Sequence, residues 1–311
     1  MILTITPNPC VDKTVFIDEL KIGAFIRARR CTCIPGGKGT NVSRAVKQLG
    51  RPTKALVVVG GHPGAHVVDM IRNQDGVECI PAWVADRTRT ITTVLEEPVH
   101  RQTAFFEPGP RVTEREAAAI LEVFRGAIHD ARVATFNGTV PDPGLAGLYR
   151  EMIAFANACG VMTILDAHGP ELALGIESAP YMVKPNLSEL EELDGRSLAS
   201  HDLRRQAMDH LHARGVRLVV LSLGEEGALV SQDGECLRVR PPRIREVNPV
   251  GSGDALVAGF AIGLLEEMSL DGMAKLGCAA GAANAMSWDI GHFTKAHVEE
   301  LMDRVTVERG V

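Results

Sequence analysis

Short apolar, β-branched runs alternate along this chain with stretches whose apolar residues recur every three or four positions. Ile2–Thr6, Ala55–Val59, Val133–Phe136, Met162–Leu165, Tyr181–Lys184 and Leu218–Ser222 read as core strands. Between them, Val42, Ala45, Val46 and Leu49 have the spacing of one helix face. Thr113 followed by Glu116 predicts a capping box in front of the stripe Ile120, Leu121, Phe124, Ile128. The alternation predicts an α/β fold, a parallel sheet with helices on both faces. Residues 14–34 and 88–107 break the rhythm. They carry the strand-like pieces Thr14–Ile17, Ile26–Cys33, Thr90–Glu96 and Thr103–Phe106, and both leave the core and return to it. Together they predict a small β-sheet flap (lid) beside the main body; the other reading is two long surface loops. No repeat, low-complexity tract or Gly/Ser linker divides the chain, so residues 1–311 read as a single domain.

Composition narrows the partners. A net charge of -6 leaves no basic excess to neutralise a nucleic-acid backbone. No apolar stretch is long enough for a bilayer, and Pro7 and Pro9 end the first apolar run too early for a secretory signal. Seven cysteines without a framework spacing read as free thiols of a reducing cytoplasm. Cys31 and Cys33 are too close for the usual zinc or redox pair. His62 and His66 are four apart, but Pro63 and Gly64 between them argue against a helical metal pair.

Chemistry concentrates in two glycine-rich segments. Asn248-Pro249-Val250-Gly251-Ser252-Gly253-Asp254-Ala255 precedes an apolar helix from Leu256 to Leu265. Glycines before a helix let its first N–H groups face an anion, aided by the helix dipole. Asp254, in the first turn, can take a proton from an attacking hydroxyl; alone, it can equally be a helix cap. Pro35-Gly36-Gly37-Lys38-Gly39-Thr40-Asn41-Val42 opens another helix. Its glycines permit close backbone approach to a polar ligand, and Lys38 supplies a point charge suited to phosphate. Neither segment is a Walker A loop, and no Gly-x-Gly-x-x-Gly follows the first strand, which excludes a Rossmann dehydrogenase.

These two segments, in this order, resemble the signatures of the ribokinase-like sugar kinases of the phosphofructokinase-B family. Within that family the chain is most similar to the members that act on phosphorylated ketohexoses, 1-phosphofructokinase and tagatose-6-phosphate kinase. The resemblance covers essentially the whole chain. It implies a ribokinase-like fold and ATP with Mg²⁺ as cofactors. Asp254 would be the catalytic base, and the backbone of Gly251, Ser252 and Gly253 an anion hole for the transferred phosphoryl group. Asp12, Gly36, Gly37, Lys38 and Asn41 would hold the sugar. Arg89 would enter the sugar-phosphate site from the flap, where it can grip phosphate bidentately. Arg27 matches another flap position, or covers apolar flap surface with its stem. Lys184-Pro185-Asn186-Leu187-Ser188-Glu189 resembles the family's Lys-Pro-Asn-x-x-Glu segment. It places Lys184 toward the ATP phosphates and lets Asn186 and Glu189 organise Mg²⁺ through water. Ser222, Gly224 and Gly227 match the loop bordering ATP, and Asn284 a late helical residue near the adenosine.

Two segments depart from the family pattern. Asn137-Gly138-Thr139-Val140-Pro141, with Gly138 near the sugar, replaces Ser-Gly-Ser-Leu-Pro, and Asp166-Ala167-His168-Gly169 replaces a Thr- or Ser-containing run. His168 either faces the cleft or caps a turn. The expected reaction is phosphorylation of a hexulose phosphate by MgATP, with fructose 1-phosphate first and tagatose 6-phosphate second. The alternatives are a kinase of a neutral sugar or nucleoside, against which Lys38 and Arg89 count, and a catalytically silent sugar-phosphate-binding protein. Exposed flap strands would favour a homodimer.

Overall fold

The structure is a computed structural model and describes residues 1–310. The chain begins with β1 (Ile2–Thr6), β2 (Cys10–Ile17), β3 (Arg30–Gly36), α1 (Lys38–Gln48), β4 (Thr53–Val59), α2 (Gly61–Asn73) and β5 (Glu78–Trp83). It continues through β6 (Arg89–Glu96), β7 (Arg101–Phe106), α3 (Glu114–Ile128), β8 (Val133–Asn137), α4 (Leu148–Ala158), β9 (Met162–Asp166) and α5 (Gly169–Ile176). Next come β10 (Met182–Val183), α6 (Leu187–Asp194), α7 (His201–Ala213), β11 (Leu218–Ser222), β12 (Ala228–Gln232) and β13 (Glu235–Arg240). It closes with α8 (Ser252–Leu265), α9 (Leu270–Ala285), α10 (Lys295–Met302) and β14 (Thr306–Arg309).

A ten-stranded sheet runs in the order β14-β13-β12-β11-β10-β9-β8-β1-β4-β5. From β5 to β11 every pairing is parallel, whereas β12, β13 and β14 add an antiparallel edge. That edge is an addition to the expected parallel sheet. It turns at Asp233-Gly234, both with positive φ, the chemistry of a tight two-residue hairpin. The strand expected over Tyr181–Lys184 contracts to Met182–Val183, since Pro185 has no N–H to extend the ladder.

Alternate strand residues feed opposite faces. Ile2, Val133, Ile164 and Leu218 pack with α1, α8, α9 and α10; Leu3, Ala134, Leu165 and Val219 pack with α3 to α7. The α1 stripe of Val42, Ala45, Val46 and Leu49 is buried, and the capping box of Thr113 and Glu116 starts α3.

The two irregular stretches form a separate four-stranded sheet, order β3-β2-β6-β7. Its first strand starts at Cys10, earlier than expected, and β3 starts at Arg30 rather than Ile26, leaving residues 18–29 outside any strand. Val11, with Cys33 against it, ties this flap to α2. The chain enters the flap from the C-terminal ends of β1 and β5, which places its hinge at the sheet edge where α/β folds bind ligands.

Candidate active site

The C-terminal ends of β1, β8, β9, β10 and β11 and the N-termini of α1, α6 and α8 converge on one cleft. Gly251 is the residue before α8, at φ 83. A Cβ there would lie 2.4 Å from Ile290 Cγ2, so glycine is required on both counts. No side chain caps α8 or α1, so their first-turn amides face the cleft free of a protein acceptor side chain. Asp254 is 6% exposed, and its Oδ2 accepts the Asn41 Nδ2 proton at 2.8 Å. This bond joins the two glycine-rich segments across 213 residues.

Asp166, at the end of β9, is fully buried. Its Oδ1 accepts from both Lys38 Nζ and Lys184 Nζ, each at 3.2 Å, and its Oδ2 is buried without a partner. The Lys184 ammonium also lies over the start of α8, 3.6 Å from where a Cβ on Gly253 would stand. The charges push the two carboxyls apart. Burial raises Asp254 to about 6, reinforced by the Asp166 charge and opposed by Lys38, the Asn41 hydrogen bond and Lys184. Burial also disfavours the Asp166 anion, but Lys184 and Lys38 outweigh it and hold that carboxyl below its ordinary range. Burial likewise disfavours the Lys38 ammonium, yet Asp166, Asp254 and Glu189 keep it charged well into the alkaline range. A carboxylate that is ionised yet proton-hungry near neutrality, beside open helix amides, can accept a hydroxyl proton while an anion is held alongside.

The sugar-side residues are only partly as expected. Lys38 is the first residue of α1, and a Cβ on Gly138 would lie 3.7 Å from its stem. Gly36, Gly37 and Gly39 do permit close approach, but to protein: Cβ atoms on them would meet Cys10 Sγ, Thr6 Cγ2 and Thr6 Oγ1 at 2.5, 2.7 and 2.3 Å. The loop is glycine-rich because it lies flat on β1 and β2. Asp12 sits in β2 rather than in a turn, half-buried, with burial raising its pKa against the nearby Arg44 charge. In the flap register Gly36 pairs with Cys10 and Cys10 with Arg89. Arg89 therefore lies two strand spacings from the loop, about 10 Å. Its Nη2 donates to Asn8 O at 3.1 Å, while its Nε is buried without a partner. Asn8 Nδ2 in turn donates to Thr139 Oγ1 at 3.3 Å, linking Arg89 to the divergent 137–141 segment. Arg27 is exposed in the 18–29 loop, outside any strand.

On the other side, Asn186, Leu187, Ser188, Arg204, Ser222, Leu223, Gly224 and Glu226 line an open pocket of about 270 Å³. Gly227 follows Glu226 in the chain, at φ 89, where a Cβ would strike the Val239 carbonyl. Asn186 and Glu189 form a capping box on α6. One Glu189 oxygen holds the Asn186 amide at 2.8 Å, leaving the other for a hydrated cation. Asn284 differs from expectation. It is 1% exposed; its Nδ2 donates to Val250 O and Ser252 Oγ, and its Oδ1 accepts from Gly291 N. It braces the Gly251 turn from inside and presents nothing to the pocket. A larger cavity of about 560 Å³, beside Met162, Tyr181 and Met273, lies at the opposite end of the sheet and contains none of these groups. His62 and His66 do share a helix, contrary to the expectation from Pro63; proline is tolerated in a first turn, where its missing N–H has no partner to lose. His168 precedes α5 without a side-chain cap bond. The sequence reading missed Asp166 as a site residue. The available signal was an acid terminating an otherwise apolar strand.

The chain resembles known proteins over nearly its whole length. Residues 6–287 match the pfkB family of carbohydrate kinases. Phosphofructokinase-2 from Escherichia coli, solved with fructose-6-phosphate, is 27% identical over 97% of this chain and 98% of its own, with a TM-score of 0.88. A protein of Thermotoga maritima described as a possible 1-phosphofructokinase is 25% identical over 100% of this chain and 99% of its own, also at 0.88. With that family match spanning both glycine-rich segments and the cleft between them, the chain belongs to the pfkB family of carbohydrate kinases.

Proposed function

We propose that this kinase transfers the γ-phosphoryl group of ATP to a hydroxyl of a ketohexose phosphate, giving the bisphosphate, with fructose 1-phosphate as first substrate and fructose 1,6-bisphosphate as product. The observation that carries the phosphosugar reading is Arg89, a cation at the flap hinge with a buried, unpartnered Nε. A neutral sugar offers that group only uncharged hydroxyl acceptors, whereas a phosphate dianion leaving water needs a cationic donor. Asp12 and Asn41 would hold the sugar hydroxyls, and Lys38, between Asp166 and the cleft, would face the incoming anion.

Above its pKa, Asp254 accepts the proton of the attacking hydroxyl. The oxygen forms a bond to the γ-phosphorus as the bond to the bridging oxygen breaks, and ADP leaves with that electron pair. The amides of Gly251 to Gly253 and the Lys184 ammonium hold the transferring group. ATP would lie along the pocket of Asn186, Ser222 and Gly224. A Mg²⁺ ion there would neutralise charge on the phosphates; the free Glu189 oxygen suits an ion that keeps its water shell.

The fructose-6-phosphate complex of the Escherichia coli relative supports a second reading, with that isomer as acceptor. The divergent 137–141 segment, linked to Arg89 through Asn8, is where the choice would be made. The flap leaves Ile22 and Phe25 fully exposed and Phe105 and Phe106 more than half exposed, which supports a homodimer closed through this sheet. A steady-state screen of fructose 1-phosphate, fructose 6-phosphate, tagatose 6-phosphate and their neutral parents with MgATP tests the proposal. Fructose 1-phosphate should give the highest kcat/KM. A preference for a neutral sugar would overturn the phosphosugar reading, and absence of ADP release with every sugar would leave a binding protein.

A further inference from the structure

Arg44 lies on α1, one turn beyond Asn41, and is 7% exposed. No sequence signal distinguishes it from a surface arginine, yet all three of its guanidinium nitrogens donate hydrogen bonds. Nε donates to Asp75 Oδ1 at 2.8 Å and Nη2 to Pro35 O at 2.7 Å, while Nη1 donates to Asn41 Oδ1 at 3.1 Å and Ile290 O at 3.2 Å. Asp75, just past α2, is itself nearly enclosed. The contacts reach both glycine-rich segments. Pro35 opens the sugar loop, and Ile290 is the side chain that fills the space beside Gly251. Gly291, against the Arg44 stem, donates to the Asn284 brace.

The contact with Asn41 has the sharpest consequence. A carboxamide has one accepting end and one donating end. With the Asn41 oxygen held by Arg44, only the NH₂ end can face Asp254, and it does so at 2.8 Å. Were the amide reversed, its oxygen would confront the carboxylate and favour the protonated acid. We propose that Arg44 is a positioning residue for phosphoryl transfer: it fixes the orientation of the Asn41 amide, and through it the readiness of Asp254 to give up its own proton and accept the substrate's. The groups facing Asp254 directly are Asp166 from β9, Lys38 and Asn41 from α1, and Lys184 beyond β10. Arg44 also bears on Asp12 by charge, so a second route to a pH effect exists and has to be separated.

The inference rests on Asp254 being the proton acceptor. The test is the pH dependence of kcat/KM for the wild type, Arg44→Met, Asn41→Leu and the double variant, with the best phosphosugar and MgATP. The wild type should lose activity on an acid limb near pH 6. Arg44→Met should move that limb upward by about half to one pH unit, the scale of one hydrogen bond to a carboxylate. Asn41→Leu should move it equally, and the double variant no further. A folded Arg44→Met enzyme with a lower melting temperature but an unmoved limb would show a packing role and overturn the proposal. Additive shifts in the double variant would overturn it too, because the effect would then travel by charge, through Asp12, rather than through Asn41. Should Arg44→Met not fold, Arg44→Lys, which keeps a cation for Asp75 but loses the fork, carries the test, and an unmoved limb is again decisive. A wild type with no acid limb would instead count against Asp254 as base, an outcome distinct from all of these.

Discussion

Asp254→Asn should make the protein catalytically incompetent and, at neutral pH, more stable. Burial and the neighbouring Asp166 charge displace the Asp254 pKa from an ordinary 3.8 to about 6. The folded state therefore binds this proton more tightly than the unfolded chain, so the group's contribution is intact below pH 4 and falls as pH rises toward and through 6. The displacement corresponds to about 3 kcal/mol of stability withheld at pH 7 and above. Asparagine carries no charge to desolvate and can still accept the Asn41 proton. Relative to wild type, the variant should gain about 2 to 3 kcal/mol between pH 4 and pH 7 and hold that gain above it. For a chain of this size the gain is roughly 5 °C in melting temperature. Thermal melts of both proteins across pH 4 to 8 measure it, and steady-state turnover should fall by at least about 10²-fold, as for loss of a general base. Parallel melting curves at every pH would refute the electrostatic account of the site. A stabilised variant that still turned over normally would refute the role of Asp254 alone.

Three further outcomes test the surrounding groups. Arg89→Ala should raise KM for the phosphosugar by the equivalent of roughly 2–5 kcal/mol with little change in KM for ATP; unchanged phosphosugar kinetics would remove Arg89 from the site. Asp166→Asn should destabilise by about 3–5 kcal/mol in a urea melt, because Lys184 is left nearly enclosed without its counter-ion. The same change should shift the acid limb downward, because a charge that raises Asp254 is gone, and an upward shift would contradict that. Replacing Phe25 and Phe105 by Asp should convert the protein to a monomer in light scattering; a wild-type mass for the variant would place any assembly elsewhere.

Most of the parallel core was legible because its strands are buried on both faces and read as unbroken apolar runs, Ile2–Thr6 and Leu218–Ser222 to the residue. The antiparallel edge was not. β12 is also covered on both faces, so Ala228–Gln232 shows no alternation, and the one available sign was Asp233-Gly234 at a hairpin tip. The flap was found through its lack of helical period, but its start was misplaced. Its first strand was expected from Thr14, whereas the chain bends at Pro7 to Pro9 and pairs again from Cys10.

The chemistry was legible to the extent that it resides in short contiguous segments. Glycines that precede a helix mark a candidate anion site, and an acid in the following turn a candidate base. What such segments cannot carry is the state of charge of the cleft, because that depends on residues far apart in the chain. Lys38, Asp166 and Lys184 come from three different βα junctions, and only folding brings both ammonium groups to one carboxylate oxygen. From that placement the division of labour between the acids follows. Asp166 holds two cations and stays ionised. Asp254 has one neutral donor and a neighbouring anion, and so titrates close to working pH. Two carboxyls with opposite displacements are the physical mark of separate roles. Had the lysines paired with Asp254 instead, its proton affinity would fall, and it would be a weaker general base. Asp166, marked in the sequence only as an acid ending an apolar strand, thus engages both ammonium groups and leaves Asp254 as the carboxyl with the raised proton affinity.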